Sequence, residues 1–142
     1  MQVTTWFLAR VDEAAAIASI VTTEAHSYDD WSHLELPLVT LELMALSAAL
    51  RGTVTEAEST LETPLVWQEA DGLLVARVKD SFIHALARVT VEREPAVADA
   101  WATKIDRLHH EPPQLREFLS DLSHFAREAV ARRSPVLELS TL

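Results

Sequence analysis

Residues 64–78 read PLVWQEADGLLVARV, and this stretch decides how the chain is built. Two runs rich in leucine, valine and one tryptophan flank Ala70, Asp71 and Gly72. Glycine accepts the positive φ that a tight turn demands, so the stretch predicts a β-hairpin.

On its N-terminal side, residues 4–11 (TTWFLARV) open with β-branched and aromatic side chains and predict a first strand. Asp12 then suits the N-cap of an alanine-rich helix over 13–21, with Glu13 favourable to its dipole. A polar stretch covers 22–32. Residues 33–39 (HLELPLV) alternate weakly, and Pro37 confines them to an edge strand or an extended segment. Thr40 suits the cap of a helix over 41–51 that Gly52 ends. Leu41, Leu43, Met44, Leu46 and Leu50 run around most of its circumference, the mark of a buried helix. Residues 53–63 are acidic and rich in threonine and serine, and read as a loop with a helical turn.

On the C-terminal side, Asp80 or Ser81 suits the cap of a short helix through Val89, with Phe82, Ile83, Leu86 and Val89 on one face. A second helix is predicted over 94–108, with Val97, Trp101, Ile105 and Leu108 at helical spacing. Pro112 and Pro113 open the strongest helix. Its apolar stripe is Leu115, Phe118, Leu119, Leu122, Phe125, Ala126, Ala129 and Val130, with Glu128 and Arg132 paired outside it. Residues 134–142 (SPVLELSTL) predict a closing strand. The order β-α-(β)-α-β-β-α-α-α-β implies a single α+β domain over 1–142. Its small mixed sheet has about four to five strands, including the hairpin and both termini, covered by about five helices.

A chain of 142 residues, 49% of them apolar, is enough for one packed core. Without cysteine there are no disulfides, thiolate metal sites or cysteine nucleophiles. No basic leader with an apolar core opens the chain, and the longest apolar run, 14–20, is far short of a membrane span. These features predict a soluble, cytoplasmic protein without a membrane partner. Only two glycines are present, Gly52 and Gly72, so neither a P-loop nor a dinucleotide fingerprint can be built.

Charge is the strongest functional clue. Residues 11–76 hold twelve acidic side chains and one basic, Arg51, whereas residues 77–142 hold ten of each. Such a field repels nucleic acid and attracts basic partners. A plain solvated surface is the alternative, although ordinary surfaces mix both signs.

The densest polar cluster is His26-Ser27-Tyr28-Asp29-Asp30-Trp31-Ser32-His33. Its imidazoles and carboxylates suit acid–base or metal chemistry, but adjacent carboxylates diverge. The plainer reading has Asp29 capping a turn, Trp31 anchoring the loop and the histidines solvated. His109 and His110 end a helix, where the dipole explains them without a ligand. His84 and His124 fall on polar helix faces. No serine sits in a nucleophile-elbow or Ser-x-x-Lys pattern, so no catalytic residue, metal ligand or cofactor is assigned. Trp6, Trp31, Trp67 and Trp101 are expected in the core, with Trp31 the best placed to line a pocket or interface.

Asp30, Trp31, His33 and Leu34 before a leucine-rich helix, the order of elements, and the closing LREFLSDLSHFAREAVARRSPVLELSTL resemble the YfbM-like family of small bacterial proteins. The resemblance implies an α+β fold and a bacterial cytosolic setting, and no reaction.

The leading expectation is a non-catalytic acidic binding protein that docks a basic protein, as an immunity protein or inhibitor docks a toxin or nuclease. Asp29, Asp30, Glu56, Glu58, Glu62, Glu69 and Asp71 would steer association, with Trp31, His33 and Trp67 at the contact. The first alternative is a small enzyme or ligand- or metal-binding protein using His26, Asp29, Asp30 and His33. The second is a self-associating protein, a homodimer through the helix over 41–50.

Overall fold

A computed structural model describes residues 3–22, 30–52, 59–105 and 110–141. The elements follow the predicted order: β1 (Thr4–Leu8), α1 (Ala14–Thr22), β2 (His33–Leu36), α2 (Thr40–Arg51), β3 (Leu61–Gln68), β4 (Leu73–Val78), α3 (Asp80–Ala87), α4 (Glu94–Ala102), α5 (Pro112–Arg132) and β5 (Val136–Thr141). The fold is α+β. Its five strands lie in the order β2-β1-β5-β4-β3. Every pairing is antiparallel, so the sheet expected to be mixed is not. The reason is the middle strand: β5 runs opposite to both β1 and β4, and each outer strand reverses again.

Strand alternation divides the core in two. Trp6, Leu8, Val78 and Val136 face α2, α3, α4 and α5 and merge with Leu43, Leu46, Phe82, Leu86, Trp101, Leu119 and Leu122. Phe7, Leu73, Val75, Leu137 and Leu139 face the other way and pack with Ala14, Ile17 and Ala18 of α1. Among the described residues the sheet is therefore sandwiched between α1 on one side and α2, α3, α4 and α5 on the other. Trp6, Phe7, Ile17, Leu46 and Leu119 are 2% exposed or less. Each fully buried aliphatic or aromatic side chain of this kind contributes roughly 1.5–3 kcal/mol.

The hairpin forms as read, through a 3-10 turn at Glu69–Asp71 and Gly72 at φ 60°. β3 starts earlier than expected, at Leu61, and is irregular between Leu61 and Val66. Pro64 sits within it, tolerated because β3 lies at the sheet margin.

Helix starts depart from the sequence reading in one consistent way. The sequence suggests Asp12 and Thr40 as caps; instead Arg10 caps a 3-10 turn, Val11–Glu13, that runs directly into α1, Val39 caps α2, and Thr40 lies inside α2. The Arg10 backbone N–H donates to Glu13 Oε1 at 2.9 Å, and that of Val39 to Glu42 Oε1 at 3.0 Å. At α5 the Glu111 N–H donates to Gln114 Oε1 at 2.9 Å. A long side chain three residues after the cap, in the 3-10 turn before α1 or inside α2 and α5, reaches back in each case. α3 is preceded by Lys79, not capped by Asp80 or Ser81. α4 ends at Ala102 instead of continuing to 108, and residues 106–109 lie outside the described residues.

Candidate functional site

Of the polar cluster at 26–33, His26 and Asp29 lie outside the described residues, as do Glu56 and Glu58. Trp31 is partly buried against the α1 side of the sheet, its ring edge-on to Phe7 with centroids 6.0 Å apart. Its indole N–H donates to Glu13 Oε2 at 2.9 Å. The backbone N–H of Arg10 and then the indole of Trp31 hold the Glu13 carboxyl below its ordinary range. The Leu8 N–H donates to the Ser32 carbonyl at 2.9 Å, which straps this segment to β1. Trp31 thus acts as an anchor. Asp30 and His33 are both exposed, and the His33 ring lies 6.1 Å from Phe7. Among the described residues no group of three histidines or carboxylates is placed to hold a metal ion.

The hairpin carries the other predicted residues. Glu62 Oε2 lies 3.3 Å from Arg77 Nε, and Arg77 Nη2 donates to both Asp80 oxygens at 3.0 and 3.1 Å. One guanidinium thus faces two carboxylates. Glu69 and Asp71 are exposed in the turn that joins β3 to β4. Trp67, expected in the core, is instead 50% exposed, and Leu65 is 39% exposed. The cause is alternation on a marginal strand. Val66 packs with the α1 cluster, so Trp67, opposite Leu74, points to the other face. On that face α5 packs on β2 at the far margin, whereas α1 packs on β3 and β4 from the other side.

Leu41 is 74% exposed although the rest of α2 is largely covered, and Val130 is 39% exposed at the edge of the α5 stripe. His84 and His124 are exposed, as read. The helix end expected at His109 and His110 falls on residues outside those described, and His110 Nε2 lies 3.0 Å from Glu42 Oε2, with both side chains nearly buried. The His110 ring also packs edge-on to Phe118 at 5.4 Å. The Trp101 indole donates to the Glu42 carbonyl at 2.8 Å, so residue 42 fastens α2, α4 and the entrance to α5.

Two carboxyls escaped sequence reasoning. Glu138, on the middle strand, is 1% exposed; it accepts from Trp6 Nε1 at 2.9 Å and from Ser140 Oγ at 2.8 Å. Burial pushes its pKa up, against the pull of those two hydrogen bonds. Glu94, the first residue of α4, is 6% exposed. The only sequence signal for Glu138 is an acid between apolar residues of the closing strand. Glu94 gives none beyond its place after a polar turn.

Comparison with family models, curated proteins and solved structures finds no match to this chain.

Proposed function

We propose that this chain is a non-catalytic acidic binding protein that docks a basic protein through its β3–β4 hairpin, in the manner of an immunity protein or inhibitor acting on a basic toxin or nuclease in the cytoplasm. The observation that carries the reading is Trp67: a half-exposed indole on a marginal strand, in a hairpin that also bears Glu62, Glu69 and Asp71. Tryptophan is the residue type most enriched among binding hot spots, and a surrounding of one charge sign steers the opposite sign toward it. Leu65 extends the apolar contact. Arg77 neutralises part of the charge at Glu62, which leaves Glu69 and Asp71 as the steering pair.

The enzyme reading has less support, because Asp30 and His33 are exposed and the Trp31 indole is engaged by Glu13. Self-association through α2 has less support for a similar reason. Leu43 and Leu46 are spent in the chain's own core, leaving Leu41 as the apolar side chain that α2 offers outward.

The test is capture on the immobilised protein from a defined mixture of basic and acidic proteins, followed by kinetics on what binds. A basic protein is recovered, and its association rate falls steeply as salt rises. Trp67→Ala weakens the complex by about 30-fold, mainly through faster dissociation. Glu69→Gln with Asp71→Asn slows association. Recovery of acidic proteins alone, or of nothing, overturns the proposal.

A further inference from the structure

Between α4 and α5 runs a groove of about 480 Å³, within the size range of small-ligand sites. Glu94 and Asp99 come to it from α4, Arg116 and Glu117 from α5, and Pro112 and Pro113 line it with apolar surface. The groove lies on the helical layer, whereas the hairpin surface proposed above lies on the margin of the sheet.

Glu94 is what makes this more than a cluster of acids. An acid in the first turn of a helix is favoured by the dipole, which accounts for the residue type. It does not account for the burial. At 6% exposure the side chain has given up most of its hydration, yet no described donor reaches its carboxylate by hydrogen bond or ion pair. Its oxygens are also not among the sealed polar atoms that lack partners, so they keep an opening, and the groove is where Glu94 meets solvent. Burying an ionised carboxylate without a partner is costly, and a cation arriving through the groove removes that cost.

The remaining walls select the ligand. Three carboxylates stand against one guanidinium, which favours a cation. An anion would look to the amides at the start of α5, but Pro112 and Pro113 occupy the first two positions there and have no N–H to offer. Among the described residues no three carboxylates or histidines converge as metal ligands, which leaves an organic cation. The proline walls suit a methylene stem behind the charge.

We infer that the α4–α5 groove binds an alkylammonium or guanidinium group on an apolar stem, with the Glu94 carboxylate as its principal partner. Two sources share that chemistry: the side chain of a lysine or arginine in a polypeptide, and a free aliphatic amine. Asp99 and Glu117 add attraction at the mouth, and Arg116 opposes it.

The experiment is a nuclear magnetic resonance titration of the full chain with 1,5-diaminopentane, with an acetylated and amidated lysine tetrapeptide, and with 1-pentanol as the uncharged control. Saturable shifts of the Asp99 and Glu117 amides are expected with one or both cations and none with the alcohol. Diamine alone identifies a free amine as the source, and peptide alone identifies a protein side chain. Glu94→Gln, with its melting temperature checked, weakens cation binding roughly tenfold or more, the scale of a charged hydrogen bond. Asp99→Asn, at an exposed position, weakens it less. Arg116→Gln tightens it by about threefold, a response that a purely structural Glu94 would not produce. Absence of saturable shifts, or affinity unchanged in Glu94→Gln, overturns the inference, and neither result bears on docking at the hairpin.

Discussion

Glu138 shows how one side chain can tie stability to pH. It faces the four-helix core from the middle strand, held by Trp6 and Ser140, and burial raises its pKa. The folded chain therefore holds this proton more tightly than the unfolded chain does. The stability associated with it is fully present below the ordinary glutamate value. It declines as pH rises through the interval up to the folded-state value, and stays at the reduced level above that. Glu138→Gln keeps an acceptor for the Trp6 indole and offers Ser140 an amide donor, so it removes that slope. Chemical unfolding across pH 4–8 should show a flatter profile for the variant, with stability at neutral pH at least equal to that of the parent. Glu138→Ala leaves the indole N–H unpaired in the core and costs about 1–3 kcal/mol. A parallel pH profile for Glu138→Gln and the parent would show that the carboxyl titrates alike in both states. The sequence concealed this residue because alternation shows which side chains share a face, not that both faces of β5 are covered.

At the scale of elements, much of the fold was legible. The Asp71-Gly72 turn, the stripe of α5 and the Gly52 stop each rest on a local rule, and each appears where that rule puts it. Helix starts were less legible, because a short polar residue before an apolar stripe is the local signature of a cap, and this chain seldom uses it. The chain instead uses Glu13, Glu42 and Gln114 from inside the first turn, on Arg10, Val39 and Glu111. Trp67 was misplaced for a related reason: period-two alternation cannot tell which face of a marginal strand the helices reach. Where α5 ends, Arg133 takes a left-handed conformation at φ 54°, a position that glycine occupies at no steric cost. Arg133 is exposed, and Val136, three residues on, already starts β5, so the turn must be tight. Arg133→Gly should raise stability by up to about 1 kcal/mol, read as a higher denaturant midpoint at unchanged slope. A loss of stability would mean that unfolded-state entropy outweighs the relief of strain.

Across the whole molecule, the sheet separates two apolar clusters of unequal size. The larger joins four helices to one face, and the smaller rests on α1 alone. Both depend on β5, which takes its partners from β1 at one end of the sequence and β4 in the middle. β1 to β4 thereby flank a middle strand contributed by the C-terminal segment. Of the described carboxylates in residues 11–76, Glu62, Glu69 and Asp71 lie on the hairpin, whereas Glu42 is nearly buried on α2 beside His110. The same arrangement predicts how core damage combines. Ile17 of α1 and Leu46 of α2 are both fully buried, on opposite sides of the sheet and in different clusters. Either one changed to alanine should cost about 2–5 kcal/mol, according to how far its surroundings collapse. With the backbone of the sheet between them and no shared side-chain neighbours in either cluster, the two costs should add within about 0.5 kcal/mol in the double variant. To stay within a measurable range, Ile17→Val and Leu46→Val can be compared by equilibrium unfolding, singly and together. A coupling well above that limit would show that the two layers respond to each other through the sheet. In that case a change at the α1 side, where Trp31 and Glu13 meet, would be felt in the four-helix layer that carries the Glu94 groove.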